Sequence, residues 1–221
     1  MSLNTYSLHL ALASNQCGSL DGASQTGLGI AGDLTLECWV NYDTLPASGQ
    51  QRNTILMKDI GVTNQVTYQF FLSNSSGAYS LRLYHNNLSA LSDNVGVTWT
   101  PGTGIWYHHA CTVSGSVVGL YVDGTQVGTN QNLTNTRQHN GSSDFYVGRS
   151  PGAANDWMDG FIDDVRVWGS VRTQTEISNN RSTQIGGDST NLQGYWRFNN
   201  DYLDQTPNAN NLTASGTPTF S

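Results

Sequence analysis

Residues able to do covalent chemistry are few, and their spacing argues against it. The chain has only two glutamates, Glu37 and Glu176. A retaining glycosidase needs two carboxyl groups about 5–5.5 Å apart. A strand puts such a pair on one sheet face only at alternate positions. Asp156 and Asp159 are spaced i, i+3, off that alternation. The adjacent His108 and His109 would point to opposite faces of a strand and could not jointly hold one ion. Cys17, Cys38 and Cys111 are odd in number and widely spaced, which is neither a disulfide framework nor a zinc motif. Cys38 and Cys111 each sit in a strand-like run, and the sequence leaves open whether they meet. There is no H-E-x-x-H and no P-loop. These patterns predict a protein that is not an enzyme, with a hydrolase of unrecognised site as a distant alternative.

Non-covalent chemistry has better candidates. Sugar recognition needs an aromatic face for C–H stacking and planar polar groups for the hydroxyls. Tyr68, Arg82, Tyr84, His85, His139, Arg149 and Trp157 have those properties. Arg82 and Tyr84, with the Gln69/Phe71 face, fall on strand-like runs suited to one concave sheet. Trp157 falls in the loop Asn155-Asp156-Trp157, where an exposed large aromatic would imply a ligand or partner.

These side chains must be positioned by strands. Leu8, Leu10 and Leu12 alternate with His9 and Ala11, and Leu34, Leu36, Cys38 and Val40 alternate with Thr35, Glu37 and Trp39. Short runs rich in β-branched and aromatic residues follow as far as residue 198, separated by Gly, Asn, Asp and Ser. That spacing predicts a sandwich or barrel. Asp123-Gly124, Ser76-Gly77 and Asn140-Gly141 predict turns, the first a type I′ hairpin. Thr173 with Glu176 three residues on fits a capping box, predicting one short surface helix over about 173–180 as a connector. No repeat and no linker divides the chain, so residues 1–221 are expected to form a single domain.

Composition narrows the partners. Charged residues make up 11% of the chain, against about 25% in an average domain. Lys58 is the only lysine, and Gly, Asn, Ser and Thr dominate the polar positions. Such a surface suits an extracellular or virion protein. The net charge of −7 disfavours a nucleic-acid partner and weakly favours a bound divalent cation. No stretch approaches the roughly 20 apolar residues of a membrane helix, so membrane insertion is not expected. The first residues carry no signal-peptide pattern. This predicts either a trimmed chain or a route to the surface that needs no signal, such as virion assembly.

Six segments together resemble the laminin-G-like, concanavalin A-like jelly rolls. They are Asp33-Leu34-Thr35-Leu36-Glu37-Cys38-Trp39-Val40, Trp106-Tyr107-His108-His109-Ala110, Leu120-Tyr121-Val122-Asp123-Gly124, Gly160-Phe161-Ile162-Asp163-Asp164-Val165-Arg166-Val167-Trp168, the following Thr173 to Ile177, and Tyr195-Trp196-Arg197-Phe198 with its Asn210-Asn211 tail. The resemblance implies an all-β, two-sheet antiparallel jelly-roll sandwich. Its closing half looks most like modules of phage and environmental bacterial surface proteins. It also implies a structural Ca²⁺ at Asp163, with Asp33 and Asp21 as weaker neighbours, since hard oxygen ligands suit that ion. A strict pleat predicts that Ile162, Val165 and Val167 divide between the two faces of their strand. The fold hosts lectins, hydrolases and adhesion modules alike. The leading expectation is a non-catalytic carbohydrate-binding or adhesion module on a virion or cell surface, taking a glycan or cell-surface polysaccharide. The alternative is a self-assembling structural protein, a capsid decoration or a fibre or filament subunit that contacts its own copies or other virion proteins.

Overall fold

The computed structural model describes residues 5–12, 15–49, 52–59, 66–87, 89, 91–139, 142–151 and 156–221. The expected Asn140-Gly141 turn and Asn155 lie outside them. In chain order the strands are β1 (Leu8–Leu10), β2 (Cys17–Leu20), β3 (Leu34–Tyr42), β4 (Arg52–Asp59), β5 (Tyr68–Ser75), β6 (Ala78–Asn86), β7 (Ser92–Thr98), β8 (Trp106–Ser114), β9 (Val117–Val122), β10 (Thr125–Gln126), β11 (Gln131–Asn132), β12 (Asp144–Val147) and β13 (Gly160–Trp168). Helix α1 (Gln174–Asn180) follows, then β14 (Leu192–Trp196), β15 (Thr213–Ser215) and β16 (Thr219–Phe220). Among the described residues they build two antiparallel sheets. One is nine-stranded, β10-β9-β8-β3-β13-β1-β16 with β11 on β9 and β14 on β13; the other is seven-stranded, β15-β2-β12-β4-β5-β6-β7.

Alternation decides which side chains lie between the sheets. Leu34, Leu36, Cys38 and Val40 of β3 meet Phe70 and Leu72 of β5 and Leu81 and Leu83 of β6 in one apolar core. Leu8 and Leu10 join it, but β1 ends there, and Leu12 is exposed rather than continuing the alternation. The chain turns sharply where predicted. Asp123 and Gly124 have φ of 52° and 79°, and Ser76 and Gly77 have 53° and 92°, so both pairs occupy the left-handed region that a type I′ hairpin requires.

The strict-pleat expectation for β13 fails. Ile162, Val165 and Val167 all face the core. The register against β3 shifts between Asp163 and Arg166, and Asp164 sits at φ 49°. A β-bulge there inserts an extra residue and changes the phase of the alternation. β3 and β8 do pair, but Cys111 lies opposite Leu36 and Cys38 opposite His109; all three cysteines are buried free thiols.

Helix α1 begins where expected. Thr173 Oγ1 accepts from Glu176 N, and Glu176 Oε2 accepts from Thr173 N, closing the capping box. It does more than connect. Ile177 packs on Ala110 and Tyr121, and the carbonyls at its C-terminal end accept hydrogen bonds from the nine-stranded sheet.

Candidate functional site

The outer faces of the two sheets present the polar side chains, and they differ. On the nine-stranded sheet, Glu37, His108, Asp164 and Arg166 are each about 1% exposed beneath α1 and the segment after it. Arg166 donates to Asn180 O (2.9 Å) and Thr183 O (2.8 Å). Trp39 Nε1 donates to Arg181 O at 2.7 Å, and Trp168 Nε1 donates to Glu37 Oε1 at 2.7 Å. Burial raises the Glu37 carboxyl above its ordinary range, against the pull of Arg166. The other glutamate, Glu176, is held in the capping box. The two histidines divide as adjacent strand residues must. His108 lies 3.5 Å from Glu37 under the helix, and His109 lies in the core, its Nε2 3.1 Å from Tyr42 Oη.

The seven-stranded sheet carries an open cleft of about 340 Å³ on its outer face, with Arg52, Phe71, Ser73, Arg82 and Asn94 among its lining. The Ser76-Gly77 hairpin sets its register, pairing Phe71 with Arg82 and Gln69 with Tyr84. Because Phe70, Leu72, Leu81 and Leu83 point inward, Gln69, Phe71, Ser73, Arg82 and Tyr84 share the outward face. Arg52 on β4 pairs opposite Ser73 and lays its guanidinium over Phe71, 4.7 Å from the ring centroid, and 5.8 Å from that of Tyr84. Its Nη1 donates to Gln69 Oε1 at 3.1 Å, and its Nε is 3.6 Å from Asp156 Oδ2. Arg82 donates from Nε to Asn94 Oδ1 (2.8 Å) and from Nη2 to Asn94 O (2.7 Å). Gly96, opposite Arg82, makes room for that side chain: a Cβ there would stand 2.6 Å from Arg82 Cγ. Burial, and then the neighbouring charge of Arg52, lower the Arg82 pKa.

The candidates named from sequence scatter over this frame. Arg82 and Tyr84 lie on the outward face as expected. Tyr68 and His85 do not: they share the inward parity of Phe70 and Leu83, and both are fully buried. Tyr68 donates to Leu28 O at 3.0 Å, and His85 pairs with Asp93 at 3.1 Å. Trp157 is not the exposed aromatic expected. It is 7% exposed, bridges to Arg149, and has the Arg149 guanidinium 5.0 Å from its ring centroid. His139 is exposed but lies against Gly29, away from the cleft lining. Arg52, Ser73 and Asn94 were not among the sequence candidates.

The three carboxylates proposed for calcium do not converge. Asp163 is fully buried opposite Trp39 and accepts from Asp164 N at 2.8 Å. Asp33 lies six residues before Trp39, about 20 Å along the strand direction, and accepts from Gly115 N. Asp21 caps the short turn Gly22–Ser24 beside β12 of the other sheet. Among the described residues no group of three His, Cys, Asp or Glu is placed to hold a metal ion. The set Asp21, Asp33 and Asp163 therefore does not fit a shared calcium shell.

A two-sheet antiparallel jelly roll is the architecture of the concanavalin A-like proteins. Residues 18–178 match the family model for the concanavalin A-like lectin/glucanases superfamily, and the chain belongs to that family. Three solved structures share the fold. A candidate carbohydrate binding protein from Bacteroides ovatus has TM-score 0.69 and 20% identity over 94% of this chain, which spans 60% of that protein. The heptameric SAP-like pentraxin of Limulus polyphemus has TM-score 0.66 and 16% identity, over 98% of this chain and 93% of that one. The CBM40 of the Ruminococcus gnavus IT-sialidase, bound to α2,3 sialyllactose, has TM-score 0.61 and 10% identity, over 78% of this chain and 95% of that one. No curated protein matches the sequence.

Proposed function

We propose that this chain is a non-catalytic carbohydrate-binding module that holds a glycan across the outer face of its seven-stranded sheet and works on a cell or virion surface. The observation that carries the reading is the cleft on that face. Arg52 and Arg82 bring planar donors, Ser73 and Asn94 supply hydroxyl and amide groups, and Phe71 and Tyr84 back them. Such a mixture of a few convergent polar groups over an aromatic floor is what a small-ligand site needs. Both glutamates are committed elsewhere, Glu37 to Trp168 and Glu176 to the helix cap. The Ruminococcus module, solved with a bound sialyllactose, adds support from a relative of the same fold. The sparse charge of the chain fits an extracellular setting, and among the described residues no helix is long and apolar enough to cross a membrane.

The test is an immobilised glycan panel probed with the wild type and with Ser73→Trp, which plugs the cleft while leaving the core untouched. Wild type should retain at least one glycan, and Ser73→Trp should lose it without a change in Tm. Retention by both proteins would move the site elsewhere, and no retention by the wild type would remove the reading.

A further inference from the structure

We infer that the sugar this cleft takes is acidic, its carboxylate held between Arg52 and Arg82. The inference deepens the carbohydrate-binding reading above and rests on it.

The reason lies in how the chain disposes of its few cations. It carries eight arginines and one lysine among 221 residues. Several are fully committed to the chain itself. Arg166 is met by two carbonyls and by Asp164 at 3.8 Å, Arg137 by the carbonyls of Ile30 and Gly32, and Arg172 by Glu176 at 3.0 Å. The two cleft arginines face an open cleft and keep donor atoms to spare. Arg82 meets only the neutral Asn94. Arg52 has one carboxylate, Asp156, at 3.6 Å; burial raises the pKa of that carboxyl, and the charge of Arg52 pulls against the rise. Among the described residues, Arg82 Nη1 and Arg52 Nη2 have no hydrogen-bond acceptor.

An anion placed beside two guanidinium groups favours their charged forms. Burial, and then the charge of Arg52, disfavour that form at Arg82. Their geometry also suits a planar anion. Arg52 rests on Phe71 beside Tyr84, and Asn94 fixes Arg82 through two bonds. The fork of a guanidinium matches a carboxylate with paired N–H donors, which adds both strength and orientation. A neutral hydroxyl would use one donor and leave the positive charge unanswered. The remaining lining, Phe71, Ser73, Asn74, Ser75 and Asn94, is neutral. The net charge of −7 makes this local reversal of sign more informative, because bulk attraction cannot account for binding an anion here.

Two sources supply a sugar carboxylate, uronic acids and sialic acids, and matched pairs separate them. Calorimetric titration would compare 3′-sialyllactose with lactose, and trigalacturonate with its methyl ester, with κ-carrageenan, sulfated and free of carboxylate, as a control. The acidic member of at least one pair should bind ten-fold or more tighter than its neutral partner. That preference should shrink at high salt and vanish in Arg52→Gln/Arg82→Gln, whose Tm stays at the wild-type value. Arg82→Lys should keep the charge yet recover only part of the preference, since the fork is lost. Equal affinity for acidic and neutral members, abolished by Ser73→Trp, would overturn the acidic inference and leave the carbohydrate-binding reading standing. Acidic preference surviving the double glutamine variant, or κ-carrageenan binding as tightly as the sugar acid, would also overturn it. Failure of every glycan in the panel would remove both.

Discussion

The two outer faces of the sandwich solve one problem in opposite ways. Each lays a guanidinium on an aromatic ring, Arg166 on Tyr195 and Arg52 on Phe71. Over the nine-stranded sheet the chain supplies the roof itself. Helix α1 and the residues after it deliver the carbonyls of Asn180 and Thr183 to Arg166 and that of Arg181 to Trp39. Gly124 in the β9–β10 hairpin lets the roof sit close, since a Cβ there would stand 2.7 Å from Ser178 Cα. Over the seven-stranded sheet no described helix intervenes, and the arginines line an open cleft. What a ligand would provide on one face, a helix provides on the other.

Arg166→Ala should break the roofed face most severely. It leaves Asp164 and two carbonyls buried without their cation, a loss on the order of 3–5 kcal/mol for such a pair. Urea unfolding would show it as a lower midpoint. The equivalent change on the open face, Arg82→Ala, should cost under about 1 kcal/mol, because that group is half-exposed. Equal losses at the two sites would erase the distinction between them.

Acid should expose the same asymmetry. Burial lowers the pKa of His108 and brings that of His109 down to about 3. Between pH 6.5 and 3 the unfolded chain binds a proton at His109 that the folded chain refuses, so stability rises with pH across that window and falls on acidification. The slope is on the order of 1.4 kcal/mol per pH unit for each such histidine. Buried Glu37 and Asp164, whose pKa values are raised, act in the opposite sense and take up protons first in the folded state. Their effect opposes that of the histidines wherever the raised carboxyls titrate. Stability measured by urea at pH 7, 6 and 5 should therefore fall stepwise, and His109→Gln should flatten the profile. Glycan affinity at pH values where the protein stays folded should change little, because the cleft has no histidine in its lining.

The sequence held much of this, unevenly. The alternation that put Arg82 and Tyr84 outward also puts Tyr68 and His85 inward, so parity alone was enough to discard those two. The Ser76-Gly77 turn fixes β5 against β6 and hence Phe71 opposite Arg82. Arg52 was not legible, because β4 reaches β5 through a longer connection and no short turn sets which of its residues faces Ser73. Trp157 was misread because burial of a loop aromatic depends on Arg149, a contact made through tertiary packing. The bulge at Asp164 was equally hidden: it is a backbone choice, φ 49°, that nothing in the run of β-branched residues announces.

Gly96→Ala should sharpen the open face from below. The new Cβ would stand 2.6 Å from Arg82 Cγ and 2.7 Å from Leu81 O. The carbonyl cannot move far within the β6–β7 ladder, so a cost of about 1–3 kcal/mol is expected from overpacking. The Arg82 stem must also swing away from Asn94, and glycan affinity should drop several-fold beyond what the stability loss explains. Unchanged affinity would mean that Arg82 is not held in its binding position by Asn94.

The smallest effect belongs to the edge of the roof. Thr173→Ala removes the side-chain oxygen that accepts from Glu176 N at 3.2 Å and frees the Glu176 carboxylate from its hydroxyl partner. Loss of such a cap costs about 1 kcal/mol. Because α1 closes only the nine-stranded face, thermal melting should register the change while glycan affinity stays at the wild-type value. A parallel loss of affinity would show that the two faces communicate through the core, and that the open cleft owes its shape to the helix on the far side.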